Sequence, residues 1–391
     1  MSGDGGLGGR GRRVFLPLIV TTAVLAAGCA RDGASGHGEP MVQAGRAHCG
    51  QGWSHSDAGT QTLVVHNGDA AAVDVTVVDP SGGAVYAELE DVGPGATRPM
   101  RVSLGAGTYV VRCLPEDAAV VTGPRVRVTG SGGGARGVRP LTRNDLYPAV
   151  RAYRAYVTEG LGKLEARTDS LLDAVRAEDL GGAREAWLPA HLAYERLGAA
   201  YGTFGDFADE IDGRPAGLAK GVHDPEFTGF HRVEWGLWHG ESAGSLRGPA
   251  ERLARDVKAL WDDFPRQQID PGDLGLRAHE ILENTLQFEL TGKADQGSGT
   301  ALATAAANLD GTRAVLDPLR PLLKGRMPGL AEIDTWLDRT SGLLSAQHRH
   351  GEWTPLDRLS TLERERIDGA AGELVERLAS VATVAAVRRS S

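Results

Sequence analysis

Val126-Arg127-Val128-Thr129-Gly130-Ser131-Gly132-Gly133-Gly134 marks a change of composition in this 391-residue chain. On its N-terminal side, β-branched residues alternate with polar ones, the period-2 pattern of a half-buried strand. The Ser-Gly-Gly-Gly run after it has no side chains to pack and reads as a flexible linker.

Working upstream, Leu63-Val64-Val65, Val73-Asp74-Val75-Thr76-Val77 and Tyr109-Val110-Val111-Arg112 repeat the strand signature. They are separated by turn chemistry at Asn67-Gly68, Pro80-Ser81-Gly82, Gly93-Pro94-Gly95 and Gly105-Ala106-Gly107. This spacing predicts a small antiparallel β-sandwich. Downstream, apolar residues recur every three or four positions through 146–175, 184–201, 246–264, 274–290, 301–323 and 359–387, which predicts long amphipathic helices gathered in a bundle. The expected organisation is a multidomain β + α chain: a β domain over 41–130, a linker over 131–144 and an all-α bundle over 145–391.

At the N-terminus, Arg10, Arg12 and Arg13 precede an apolar run from Val14 to Ala27 that ends in Gly28-Cys29. That run is short for a membrane span, and residues 1–28 read as a secretory signal. Cys29 would then be the acylated first residue of an exported protein anchored by lipid on the extracytoplasmic face, with 29–40 as a polar tether. The alternative is a plain signal peptide with an incidental cysteine. Arg12-Arg13-Val14-Phe15-Leu16 is similar to a twin-arginine export signal. Cys49 and Cys113 remain as an even pair for an oxidising compartment, either a disulfide, two separate buried thiols or soft metal ligands. A formal net charge of -9 argues against nucleic acid as a partner.

The least ordinary segment of the helical half is Gly229-Phe230-His231-Arg232-Val233-Glu234-Trp235. In a helix starting near Phe230, His231 and Glu234 share a face and together suit one cation. Trp187, His191, Tyr194 and Glu195 share a face of the preceding helix. Between the two, Asp206, Asp209, Glu210 and Asp212 alternate with Phe204, Phe207 and Ile211, so carboxylates are carried inward where they need a partner. Glu280 and Glu283 either add charge to the same cavity or pair with arginines, and Arg232 either orients a ligand carboxylate or is an ordinary surface residue.

Trp187-x-x-x-His191-x-x-Tyr194-Glu195, Asp209-Glu210-Ile211-Asp212, Gly229-x-His231-x-x-Glu234 and Arg277-Ala278-His279-Glu280-Ile281-Leu282-Glu283-Asn284 resemble, in order, the EfeO family of iron-uptake lipoproteins of EfeUOB systems. The resemblance implies a cupredoxin-like β domain and an imelysin-like helical domain. It implies metal ligation by Glu195, Asp212 and His231, with Glu234 as ligand or immediate support, and a second hard-cation site at Glu88, Glu90 and Asp91. Those three residues also read as the solvated side of an edge strand. The implied cargo is iron, ferrous or ferric, and the donor set also accepts zinc or another divalent cation. The implied partners are an iron permease and a haem peroxidase. Two readings from other classes use the same H-x-x-E: a metallopeptidase, although the H-E-x-x-H of zinc peptidases is absent, and a metal-dependent module binding acidic polysaccharide.

Overall fold

The computed structural model describes residues 39–81 and 83–387; the signal segment, Cys29 and most of the tether lie outside the described residues. Strands occupy the first third: β1 (Met41–Ala44), β2 (His55–Asp57), β3 (Gly59–Asn67), β4 (Val73–Val78), β5 (Val85–Val92), β6 (Thr97–Leu104), β7 (Gly107–Pro115), β8 (Val121–Thr122) and β9 (Val126–Thr129). One sheet runs β1-β3-β6 and the other β2-β9-β7-β4-β5, with β8 beside β7. Alternate residues of both sheets, among them Val42, Leu63, Val65, Met100, Val75, Val77 and Val111, fill one core between them.

The expected antiparallel sheet is corrected to a mixed one. β1 pairs parallel with β3, and β2 parallel with β9. Both strands are short and precede Thr62, where alternation first becomes readable, so periodicity could not place them. Cys49 and Cys113 form a disulfide with Cα atoms 5.9 Å apart, buried in this core.

The glycine-rich stretch lies along the β module instead of hanging free. Ala135 N–H donates to the Ser103 carbonyl, and Val138 and Val85 exchange backbone hydrogen bonds. A side chain at Gly134 would meet the backbone nitrogen of Gly105 at 2.0 Å, so glycine is what permits this close path.

Helices occupy the remainder: α1 (Arg143–Arg176), α2 (Leu180–Glu195), α3 (Tyr201–Phe204), α4 (Phe207–Asp212), α5 (Gly229–Trp238), α6 (Ala243–Asp263), α7 (Asp273–Asn284), α8 (Ala301–Leu323), α9 (Leu330–Ser345) and α10 (Thr361–Ala385), with a small hairpin of β10 (His348–Arg349) and β11 (Glu352–Trp353) before α10. Capping boxes start α1 at Thr142/Asp145 and α10 at Ser360/Glu363, satisfying the first free N–H groups. The helices share a second core in which α1 packs on α2 and α6, α10 on α7 and α9, and α8 across α7, α1 and α2. Helix α9 was not anticipated, although Ile333, Leu337 and Leu344 give it a buried face. No helix among the described residues is long and apolar enough to cross a membrane.

The disulfide closes a 64-residue separation, which is long enough for a large loop-entropy effect. Replacing both cysteines with serine is expected to cost about 2–4 kcal/mol, read as a lower denaturation midpoint. An unchanged midpoint would assign the bond no stabilising role.

Candidate metal centre

Three short pieces of backbone build the site. The last turn of α2 presents His191 and Glu195 four residues apart on one face, α4 ends on Asp212, and α5 begins two residues before His231. The meeting of α4 and α5 depends on Gly229. Its φ is +79°, and a Cβ there would lie 2.2 Å from the Ile211 carbonyl oxygen. Thr228 holds the same junction by donating its hydroxyl to the Glu210 carbonyl at 3.0 Å.

The ligand atoms of His191, Asp212 and His231 all lie within 4.8 Å of one another. His191 Nε2 is 3.2 Å from Asp212 Oδ1 and 3.3 Å from Glu195 Oε1, and His231 Nε2 is 3.7 Å from Asp212 Oδ1. These are charge contacts without hydrogen-bond alignment: both ring nitrogens of His191 and Asp212 Oδ1 are buried with no hydrogen-bond partner in the protein. Unfilled donors and acceptors aimed at one point fit a cation, since two imidazoles and hard carboxylates suit a first-row transition metal.

Glu234 has a different task. Its Oε2 accepts from His231 Nδ1 at 3.2 Å, and its Oε1 accepts the backbone N–H groups of Gln296 and Ser298 at 3.0 and 3.1 Å. With Nδ1–H donating to Glu234, His231 Nε2 is the nitrogen left for a cation. The glycine-rich 292–299 segment supplies those N–H groups.

Sequence reasoning missed two contributors. His191 stands on the shared helix face and in the family motif but not among the expected ligands, yet it sits at the centre. Glu289 ends a π-helical stretch, Thr285–Glu289, and lines the site together with His191, His231 and Glu234. An added residue in a helical turn rotates every later position, so an ideal helical period misplaces this carboxyl. The signal that could have marked His191 was its i, i+4 spacing to Glu195.

Of the other singled-out residues, Glu280 pairs with Arg277 at the rim, and Glu283 is mostly exposed with His279 3.7 Å away. Arg232 pairs with Glu241 at 3.0 Å and orients no carboxylate of the centre. In the β module, Glu88 and Glu90 stand two apart on β5, and Asp91 has φ +51°. The only close grouping of three metal-binding side chains among the described residues is His191, Asp212 and His231.

A cavity of ≈ 360 Å³ leads from this point to solvent between Tyr194, Tyr201, Arg214 and Phe288, with Asp209, Glu280 and Glu289 also on its wall. Trp187 closes the inner side, its ring 4.8 Å from that of His191 and its Nε1–H donating to the Phe230 carbonyl.

Burial is the strongest single influence and opposes protonation of His191 and His231, but the carboxylates around them together outweigh it, Asp212 first with Glu195 beside His191 and Glu234 beside His231, and hold both imidazoles above their ordinary range. Burial pushes the Glu289 carboxyl up to about 8, helped by the charge of Glu195. Burial also works against the charged forms of Asp212 and Glu234, yet the facing imidazoles keep both below the ordinary carboxylate range.

These positions are now comparable with known proteins. The family model described as Imelysin matches residues 149–381, more than half of the chain, and the chain belongs to the imelysin family. It is 28% identical over 325 residues to the Yersinia pseudotuberculosis protein named "Iron uptake system component EfeO", covering 83% of this chain and 85% of that one. To the Escherichia coli K12 protein of the same name it is 27% identical over 327 residues, with 83% and 85% covered. A crystal structure of a putative iron-regulated protein A precursor from Parabacteroides distasonis aligns with a TM-score of 0.47 at 13% identity, over 63% of this chain and 96% of that chain.

The geometry leads to two expected outcomes. Gly229→Ala is expected to lose about 2 kcal/mol or more and to weaken metal binding, because the added methyl must part Asp212 from His231; calorimetry and denaturation check both, and full metal affinity in this variant would refute the role of the glycine. The raised imidazoles contribute stability to the metal-free protein that is complete below pH about 6.5 and lost as pH rises through their folded values. The depressed Asp212 and Glu234 contribute stability above pH about 4.5 that is lost on acidification. Metal-free protein is therefore expected to be most stable in thermal melts between those limits, with the optimum moving upward on metal loading and protons released to buffer. An optimum above pH about 8 before loading would contradict the charge assignments.

Proposed function

We propose that this chain is a non-catalytic, extracytoplasmic iron-binding component of an iron-uptake system, capturing iron at His191, Asp212 and His231 with Glu195 beside them. The observation that carries the reading is the convergence of two buried imidazoles and a carboxylate at the end of an acid-lined cavity, with His191 and Asp212 Oδ1 lacking any hydrogen-bond partner in the protein. The name shared by the Yersinia and Escherichia relatives supports iron as the cargo. In this reading Glu195 and Asp212 supply hard oxygen, His191 and His231 supply nitrogen, and Glu234 fixes the tautomer and aim of His231. Glu289 adds a carboxyl that charges when a cation arrives.

The remaining parts of the proposal rest on the resemblance and the sequence. Residues 41–130 form a cupredoxin-like module, 131–144 a connection and 145–391 the imelysin-like module. Cys29 carries the lipid anchor, and Glu88, Glu90 and Asp91 offer a secondary hard-cation site. The captured iron is handed to a membrane permease, with a haem peroxidase as the third component. Hand-over needs reversible binding, and protons competing for two imidazoles and Glu289 supply a means of release.

Calorimetry under controlled redox conditions tests the core of this. Wild-type protein is expected to bind iron in competition with zinc, His191→Ala and His231→Ala to lose about 100-fold or more in affinity, and Glu234→Gln about 10-fold. Unchanged affinity in both histidine variants would move the cargo site elsewhere, and turnover of a peptide by the zinc-loaded protein would favour a metallopeptidase.

A further inference from the structure

A second cavity meets α5 at Arg232, the residue after His231, and shares no lining residue with the acid-lined cavity. It measures ≈ 470 Å³ and is walled by Arg232 of α5, Arg252 and Arg255 of α6, and the 222–228 segment with His223. Its character is opposite to that of the acid-lined cavity. Three guanidinium groups face two carboxylates, Asp224 and Glu241, in a protein of net charge -9. Asp224 is already engaged, since its oxygens accept the backbone N–H groups of Lys220 and Glu226. Arg232 spends Nη2 on Glu241, and its Nη1 is buried without a partner. Arg252 has Asp256 only at 3.6 Å, and Arg255 makes no ion pair among the described residues. On the α6 wall, Gly248 and Pro249 carry no long side chain, which keeps the space between the arginines open.

We propose that this cavity binds a small di- or tricarboxylate. Guanidinium groups suit carboxylates because their paired N–H groups match both oxygens. The guanidinium groups come from two helices around a space much larger than one compact ion, which suits a ligand whose charge is spread over several carboxylate groups. His231 and Arg232 are consecutive residues, so α5 separates a cation site from an anion site by one position of sequence. The anion site does not depend on the metal reading.

Titration calorimetry at fixed ionic strength, on protein stripped with a chelating resin, provides the test, with citrate as probe and inorganic phosphate as comparator. Citrate is expected to bind with a Kd below about 1 mM. Arg255→Glu, on the exposed side of α6, is expected to weaken it by about 10-fold or more, and Arg252→Gln with Arg255→Gln to act in the same direction while the thermal midpoint stays at the wild-type value. His231→Ala is expected to leave citrate affinity unchanged. Absence of citrate binding, phosphate binding as tight as citrate, or affinity lost in His231→Ala but kept in Arg255→Glu would each overturn the assignment.

Discussion

Where α4 ends and α5 begins, backbone touches backbone: Gly229 lies against the carbonyl of Ile211, with no room for even one methyl group. That approach sets the separation of Asp212 and His231, because each is within two residues of the contact. Thr228 seals the junction with its hydroxyl, and the left-handed φ of Gly229 turns the chain into α5 at once. A larger residue would have to move the two helices apart, and the 3.7 Å between the carboxylate and the imidazole would be the first distance to grow. The glycine of the G-x-H-x-x-E pattern is therefore a spacing element for the centre as much as a helix start.

Such a cluster is expensive to bury without compensation, and the surroundings show how the cost is met. In the metal-free protein, imidazoles held protonated by Asp212 offset its charge, and Glu289 keeps its proton near neutral pH. The aromatic shell of Trp187, Tyr194 and Phe230 excludes water from one side, which strengthens each charge contact there. Glu234 is anchored by two backbone N–H groups from a loop whose own turn is stabilised by Asp295 accepting from Gly297 and Gly299. A cation and a set of protons are thus alternative ways of balancing the same carboxylates.

Much of this was legible in the sequence where one residue type repeats at one period. The strands β3, β4 and β7 and the long helices announced themselves because their buried faces recur at two or at three to four residues. Asp212 and His231 were legible through motif resemblance and the alternation of acids with Phe207 and Ile211. What escaped was whatever depends on irregular backbone. Strands β1 and β2 are too short to show a period. Glu289 is rotated into the site by a π-turn that no ideal helix contains. The support for Glu234 comes from main-chain N–H groups, which have no sequence signature beyond a glycine-rich loop. Arg232 was left open between a partner for the ligands and a surface residue, and the roughly 100° between successive helix positions turns it away from the centre and into the second cavity.

That opposition gives α5 its place in the molecule. One face carries His231 into a cavity rich in carboxylates, and the next residue, Arg232, lines a cavity that holds three arginines. The chain between Asp212 and His231 passes from the first cavity to the second, since Gly213 and Arg214 line one while His223 and Thr228 line the other. The backbone contact of Gly229 with Ile211, which fixes the Asp212 to His231 distance, lies within this same stretch of chain.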